Sequence, residues 1–174
     1  GKGEKGLDQE KHMGTGKGGL RRIDPVTDAT LAEDAVLEMD TVQSRGVDTT
    51  TRKTTATLAD RAKSVVRERI MTDGEETAKT EFEGGMKGED CRADVSSRSV
   101  ARGRSKQDFI SIIQGENRCS GHSECDAILA DQATVNATPA LYASHVDAAL
   151  IHEAAIGKIA GEQILKLKTL GLTD

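Results

Sequence analysis

The chain is short of aromatic residues: Phe82, Phe109 and Tyr142 are the only three among 174, and tryptophan is absent. A core built around large rings is excluded, and so is nucleic-acid binding through aromatic stacking platforms. An excess of positive charge is also lacking. The net charge is −5, so no electrostatic grip on a phosphate backbone is expected. No run approaches the ~20 apolar residues of a membrane span, and the opening Gly1-Lys2-Gly3-Glu4-Lys5-Gly6 has no secretory apolar region. Neither nucleic acid nor membrane is therefore an expected partner. Cysteine is limited to Cys91, Cys119 and Cys125. An odd number without an export signal reads as reduced thiols in a cytoplasmic protein, not as a disulfide framework. No Ser-His-Asp pattern and no carboxylate pair in apolar surroundings is present, so the chain is not expected to be an enzyme. The first residue is not Met, and the chain reads as a piece of a longer polypeptide.

What remains is ordinary for a globular domain: 36% hydrophobic residues, together with 18 glycines. Residues 1–22 are rich in Gly and Lys and read as loosely ordered. Gly14-Thr15-Gly16-Lys17-Gly18-Gly19 resembles a phosphate loop only superficially, since Lys17 is followed by Gly18 where a Ser or Thr is needed and no apolar strand precedes it. From Asp28 onward short β-branched and apolar segments recur: Ala35 to Met39, Ser64 to Met71, Val95 to Val100, Phe109 to Ile113, Ala127 to Ala130, and Ala148 to Ile156. Gly-Glu, Asp-Gly and Gly-Gly punctuate them, and only Pro25 and Pro139 interrupt the chain. This is a strand-after-strand texture.

A repeat sharpens it. Lys79-Thr80-Glu81-Phe82 precedes Gly88-Glu89-Asp90, and Lys106-Gln107-Asp108-Phe109 precedes Gly115-Glu116-Asn117. The two copies are offset by about 27 positions, and Arg98, Cys125 and His152 fall in line at the same offset, within the 20–50 residue range of solenoid repeats. The expected fold is all-β: a parallel β-helix over residues 1–158, whose narrow bore small and aliphatic side chains can fill. Residues 159–174 change period. Good helix formers run from Glu162 to Leu170, with Lys166 and Lys168 toward the end and Gly171 after it. They read as a short C-terminal α-helix, either capping the solenoid or docking a partner.

Two clusters could carry chemistry. Cys119, His122 and Cys125 have C-x2-H-x2-C spacing, and His152-Glu153 lies in an apolar segment. Thiolate, imidazole and carboxylate form a ligand set for zinc or for iron–sulfur chemistry. Alternation along a strand points Cys125 and His152 inward and Glu153 outward. At one coil's offset Cys125 and His152 would be stacked neighbours ~5 Å apart. Cys119 and His122 would need a bend at Gly121 to converge with them. A structural zinc site at Cys119, His122 and Cys125 stays open, as does a reading in which the cysteines are packing alone. Cys91 reads as structural; His12 and His145 have no supporting pattern.

Residues 54–173 resemble the C-terminal core of the SufB/SufD family of iron–sulfur cluster assembly proteins. The resemblance rests on Cys125-Asp126-Ala127-Ile128-Leu129, on Ile151-His152-Glu153-Ala154-Ala155-Ile156-Gly157-Lys158-Ile159, and on Glu162-Gln163 followed by a Leu-rich stretch and Gly171-Leu172. It implies a right-handed parallel β-helix followed by C-terminal helices. It also implies pairing with a second copy or a SufB/SufD-like partner through the C-terminal strands, and docking of a SufC-like ABC-type ATPase at the helical end. Cys125 and Glu153 match residues implicated in building or holding a transient iron–sulfur cluster, with His152 at the same site. Retention of Cys125 makes the chain more similar to the SufB type. The function expected from it is a scaffold role in cluster assembly.

Overall fold

The structure is a computed structural model, and it describes residues 3, 5–12, 21–44 and 46–159. It contains twelve strands: β1 (Lys5–His12), β2 (Arg22–Ile23), β3 (Val26–Leu31), β4 (Val36–Gln43), β5 (Thr49–Leu58), β6 (Lys63–Thr72), β7 (Thr77–Met86), β8 (Cys91–Ala101), β9 (Lys106–Gly115), β10 (Cys119–Leu129), β11 (Thr134–Ala143) and β12 (Ala148–Lys158). Among the described residues there is no helix, and none long and apolar enough to cross a membrane. The expected C-terminal helix over 159–174 lies outside the described residues but for Ile159, as does the glycine-rich run Gly14–Gly19.

Two parallel sheets face each other. One has the order β1-β4-β6-β8-β10-β12; the other runs β11-β9-β7-β5-β2, with β3 also on β5. From β3 onward the chain alternates between them, so two consecutive strands make one coil of a β-solenoid of about five turns. Lys5–His12 pairs with β4, although it lies in the Gly/Lys-rich stretch that composition alone set apart.

Strands form because one face of each is covered. β5, β7 and β9 alternate buried and open positions along their length, the period of two that a sheet requires. The buried positions are mostly small: Ala56, Ala78, Ala93, Ala101, Ala127, Ser64, Ser97, Ser111 and Ser123. Larger groups are fewer, with Phe82, Met39, Leu58, Met86 and Ile113 fully buried and Leu58 paired with Met86. Phe82 and Phe109 are inside and Tyr142 is exposed, so two rings suffice for this bore.

Turns keep the ladder continuous. Ala35, Ala62, Glu76, Ser105 and Ala133 each donate a backbone N–H to the carbonyl three residues earlier. Each of these turns holds one residue of positive φ: Asp34, Arg61, Gly74, Gly103 and Asp131. Asp34, Arg61 and Asp90 donate N–H groups to Asp60, Glu89 and Arg118 of the next coil. Arg61 also forms an ion pair with Asp34 at 2.7 Å, as Arg118 does with Asp90 at 2.8 Å.

The coil length differs from the single repeat of the sequence reading. Val36 pairs with Lys63, 27 positions on, but Lys63 pairs with Arg92, Cys91 with Cys119, and Cys119 with Ala148. The later coils are longer because β6, β8 and β10 have 10 or 11 residues where β4 has 8, while the turns between strands do not lengthen. The two K-x-[DE]-F copies are therefore not stacked. Phe82 pairs with Ser111, and Phe109 with Thr80, so the rings sit diagonally on one face.

Candidate functional site

β10 reads Cys-Ser-Gly-His-Ser-Glu-Cys-Asp-Ala-Ile-Leu and is buried at every second position as far as Ala127. Few of these residues favour strands by themselves. The segment is extended because β8 and β12 hold it on both sides along its full length. Cys119, Gly121, Ser123, Cys125 and Ala127 face inward; His122, Glu124 and Asp126 face outward. In β12, Leu150 and His152 are partly covered, while Ile151 and Glu153 are exposed.

This alternation divides the five candidate ligands. Cys119, Cys125 and His152 lie on the inner face; His122 and Glu153 lie on the outer one. A zinc site at Cys119, His122 and Cys125 is not assembled, because β10 runs unbroken through Gly121 and keeps His122 on the opposite side from both thiols. The stacking of Cys125 on His152 is corrected as well. Cys125 pairs with Ala154 and Ser97, and His152 pairs with Ser123. Cys125 and His152 remain on adjacent strands and on one face, two positions out of register. With strands ~4.8 Å apart and ~3.3 Å per residue, their Cα atoms are about 8 Å apart.

The inner face is polar for a core. Ser111 and Ser123 share a hydrogen bond of 2.9 Å, and Ser123 is also hydrogen-bonded to Nδ1 of His152. Burial, followed by the charge of His122, holds the His152 imidazole below its usual range. Further in, Ser97 donates to one oxygen of Glu68 at 2.7 Å and Thr80 to the other at 2.9 Å. Desolvation raises the Glu68 carboxyl; the two hydroxyls and the Arg52 guanidinium pull the other way without cancelling it. Cys125 is 1% exposed, and burial first, then the charges of Glu68 and Asp126, pushes its thiol up to about 11. In the free chain Cys125 is a protonated thiol. Cys91 and Cys119 are strand partners. Cys91 donates to the carbonyl of Gly88 at 3.1 Å, and burial raises it to about 11; burial also raises Cys119. His145 accepts the N–H of Asp147 at 3.0 Å and braces the turn before β12. His12 lies in β1.

The outer face gathers a second group. Nε2 of His122 is 3.4 Å from Glu153, and its Nδ1 is 3.9 Å from Asp94. Arg92 in turn holds Asp94 at 2.7 Å. One donor atom each from His122, Glu124 and Glu153 lies within 4.8 Å of the others. A hydrogen bond with Asp126 and the nearby like charges keep the Glu124 carboxyl above its usual range. Sequence reasoning missed Glu124 and Ser123. Glu124 is two positions from His122 and so shares its face, but only the register sets it beside Glu153.

A family model described as SUF system FeS cluster assembly, SufBD core domain, matches residues 25–174. The chain belongs to the SufBD core family. Its described strands from β3 onward lie inside that match, and so do both faces of β10 and β12. An iron–sulfur cluster assembly SufBD family protein of Archaeoglobus fulgidus is 37% identical over 89 residues, which is 51% of this chain and 24% of that relative. A SufBD family protein of Pyrococcus horikoshii is 33% identical over 90 residues, 51% of this chain and 28% of the relative. One of Methanothermobacter thermautotrophicus is 33% identical over 91 residues, 51% of this chain and 22% of the relative. This SufBD core thus spans about a quarter of the length of the relatives it matches.

Proposed function

We propose that this chain is the β-solenoid core of a non-catalytic scaffold on which iron–sulfur clusters are assembled as cargo. The observation that carries the reading is the position of Cys125 on the inner face of β10, next to β12, the last strand among the described residues, within a SufBD core match. Cys125 acts as the thiolate that ligates iron or takes up sulfur. Ligation releases its proton as the sulfur–iron bond forms. Uptake proceeds by attack on a donor persulfide, whose own thiolate leaves. His152 lies close enough on the same face to complete the set. Glu153, on the other face, tunes it through charge.

Because burial keeps the Cys125 thiol protonated, loading needs an opening of the last coil. β12 is where this is easiest, since the strand order ends there among the described residues and its Ile151 and Ile156 are exposed. Pairing with a second copy or a SufB/SufD-like partner uses that edge. A SufC-like ABC-type ATPase docks through residues beyond it. The working compartment in this reading is a reducing cytoplasm, which keeps Cys91, Cys119 and Cys125 as thiols. Anaerobic reconstitution with iron and sulfide tests the role of Cys125: the wild-type chain gains visible charge-transfer absorbance, and Cys125→Ala gains none while keeping its far-UV circular dichroism.

A second reading is favoured by the same burial. With its thiol near 11, Cys125 packs as a small hydrophobe in a structural interaction subunit. Acid-labile sulfide assayed on protein purified without oxygen separates the two, since this reading predicts none.

A further inference from the structure

His122 and Glu124 take no part in the thiol chemistry proposed above, and Glu153 enters it only through charge, because all three lie across the sheet from Cys125. We propose that this outer face of β10 and β12 is a mononuclear site for a first-row divalent transition-metal ion, with water filling the remaining positions.

The geometry argues for one ion. Bonds of ~2.0–2.2 Å from nitrogen and oxygen ligands put two donors of the same ion roughly 3–4.4 Å apart. The three donor atoms here all lie within 4.8 Å of one another, so side-chain adjustment of a few tenths of an ångström closes the set. The backbone fixes the spacing. Glu124 and Glu153 are direct strand partners, and His122 stands two positions before Glu124 on the same face.

The imidazole is arranged as a ligand. Its Nε2 is directed at Glu153, and its Nδ1 is turned toward Asp94, which Arg92 holds. At 3.9 Å Asp94 makes no hydrogen bond to that nitrogen, but it stands on the side where a carboxylate that closes in would fix the tautomer and orientation of a metal-bound histidine. The charge balance points the same way. Arg92 is committed to Asp94, and among the described residues no lysine or arginine forms an ion pair with Glu124, Asp126 or Glu153. A bound dication would offset this excess of negative charge.

The donor set selects the class of ion. One imidazole with two carboxylates and no sulfur suits Fe²⁺, Mn²⁺, Co²⁺ or Zn²⁺. Soft Cu⁺ would prefer thiolate, and Mg²⁺ or Ca²⁺ an all-oxygen shell. Glu153 is 63% exposed at its side chain, so the site is open to exchange with solvent.

The test is titration of the full chain, freed of metal by chelator, with Co²⁺ alone, followed by calorimetry and visible absorbance. One equivalent per chain is expected. His122→Ala and Glu124→Gln, both surface changes whose folding is checked by circular dichroism, should each weaken binding at least tenfold. Cys125→Ala should bind Co²⁺ as the wild type does, and no sulfur-to-cobalt band should appear in either. Absence of stoichiometric binding overturns the proposal, as does binding that neither outer-face variant weakens or that Cys125→Ala abolishes. The Cys125→Ala arm also keeps this site separable from the scaffold role, since each can fail without the other.

Discussion

Ser123 stands between two partners, Ser111 on the opposite sheet and His152 on the last strand. Replacing it with Ala leaves a buried hydroxyl and a ring nitrogen each short of a partner. Such a loss costs about 1–3 kcal/mol, and Ser123→Ala should lower the urea midpoint accordingly with an unchanged slope. Glu68 makes a prediction in pH. Burial raises its carboxyl above the ordinary 4.5, so the native chain holds that proton more tightly than the unfolded one. The stabilisation is complete below the unfolded value and is lost as pH rises through the raised native value. Glu68→Gln removes the titration. Urea midpoints measured from pH 4 upward should show the variant gaining on the wild type through that window; parallel curves would contradict this. At this scale the sequence was informative about direction. Alternation placed Cys125 and His152 inside and Glu153 outside. It could not choose Ser123 as the partner of His152, because that depends on how many residues each intervening strand and turn takes up.

At the scale of the element, the glycine that matters most is Gly88, between β7 and β8. A Cβ there would meet the carbonyl carbon of Ala59 at 2.0 Å and the nitrogen of Asp60 at 2.1 Å. Backbone cannot swing aside as a side chain can, so Gly88→Ala should cost about 3 kcal/mol or more. Gly157→Ala, where nothing lies within 4 Å, should change stability by less than about 0.5 kcal/mol. Thermal melts of the pair check both. The strands legible in the sequence were mainly those with apolar alternation: β4, β6, β8, β9, the end of β10, and β12. β5 was hidden because Thr50, Arg52 and Thr54 occupy its inner positions, and its threonines carry no hydrophobic period. The offset of 27 came from a motif that is not stacked in space. It led to the correct architecture because the β3–β5 and β4–β6 pairings do have that offset, and it misplaced His152 because Cys119 and its partner Ala148 are 29 positions apart.

At the scale of the whole molecule, the solenoid is a device for setting unlike chemistry on two sides of one sheet. Thiols, hydroxyls and a buried carboxyl face the bore, while an imidazole and carboxylates face water. Its last strand has a partner on one side only among the described residues, with Ile151 53% exposed beside it. If that edge pairs with another copy, Ile151→Lys should shift the chain toward its monomer mass in size-exclusion chromatography with light scattering, and an unshifted mass would contradict pairing there. The proposed scaffold role has a sharper control within β10 itself, because Cys119 and Cys125 are both buried thiols on the same face of the same strand. The most direct measurement is the acid-labile sulfide bound per chain after anaerobic reconstitution of Cys119→Ala and Cys125→Ala side by side. Retention near the wild-type level in the first and loss in the second is the predicted result. Equal retention in both would contradict a cluster-building role for Cys125.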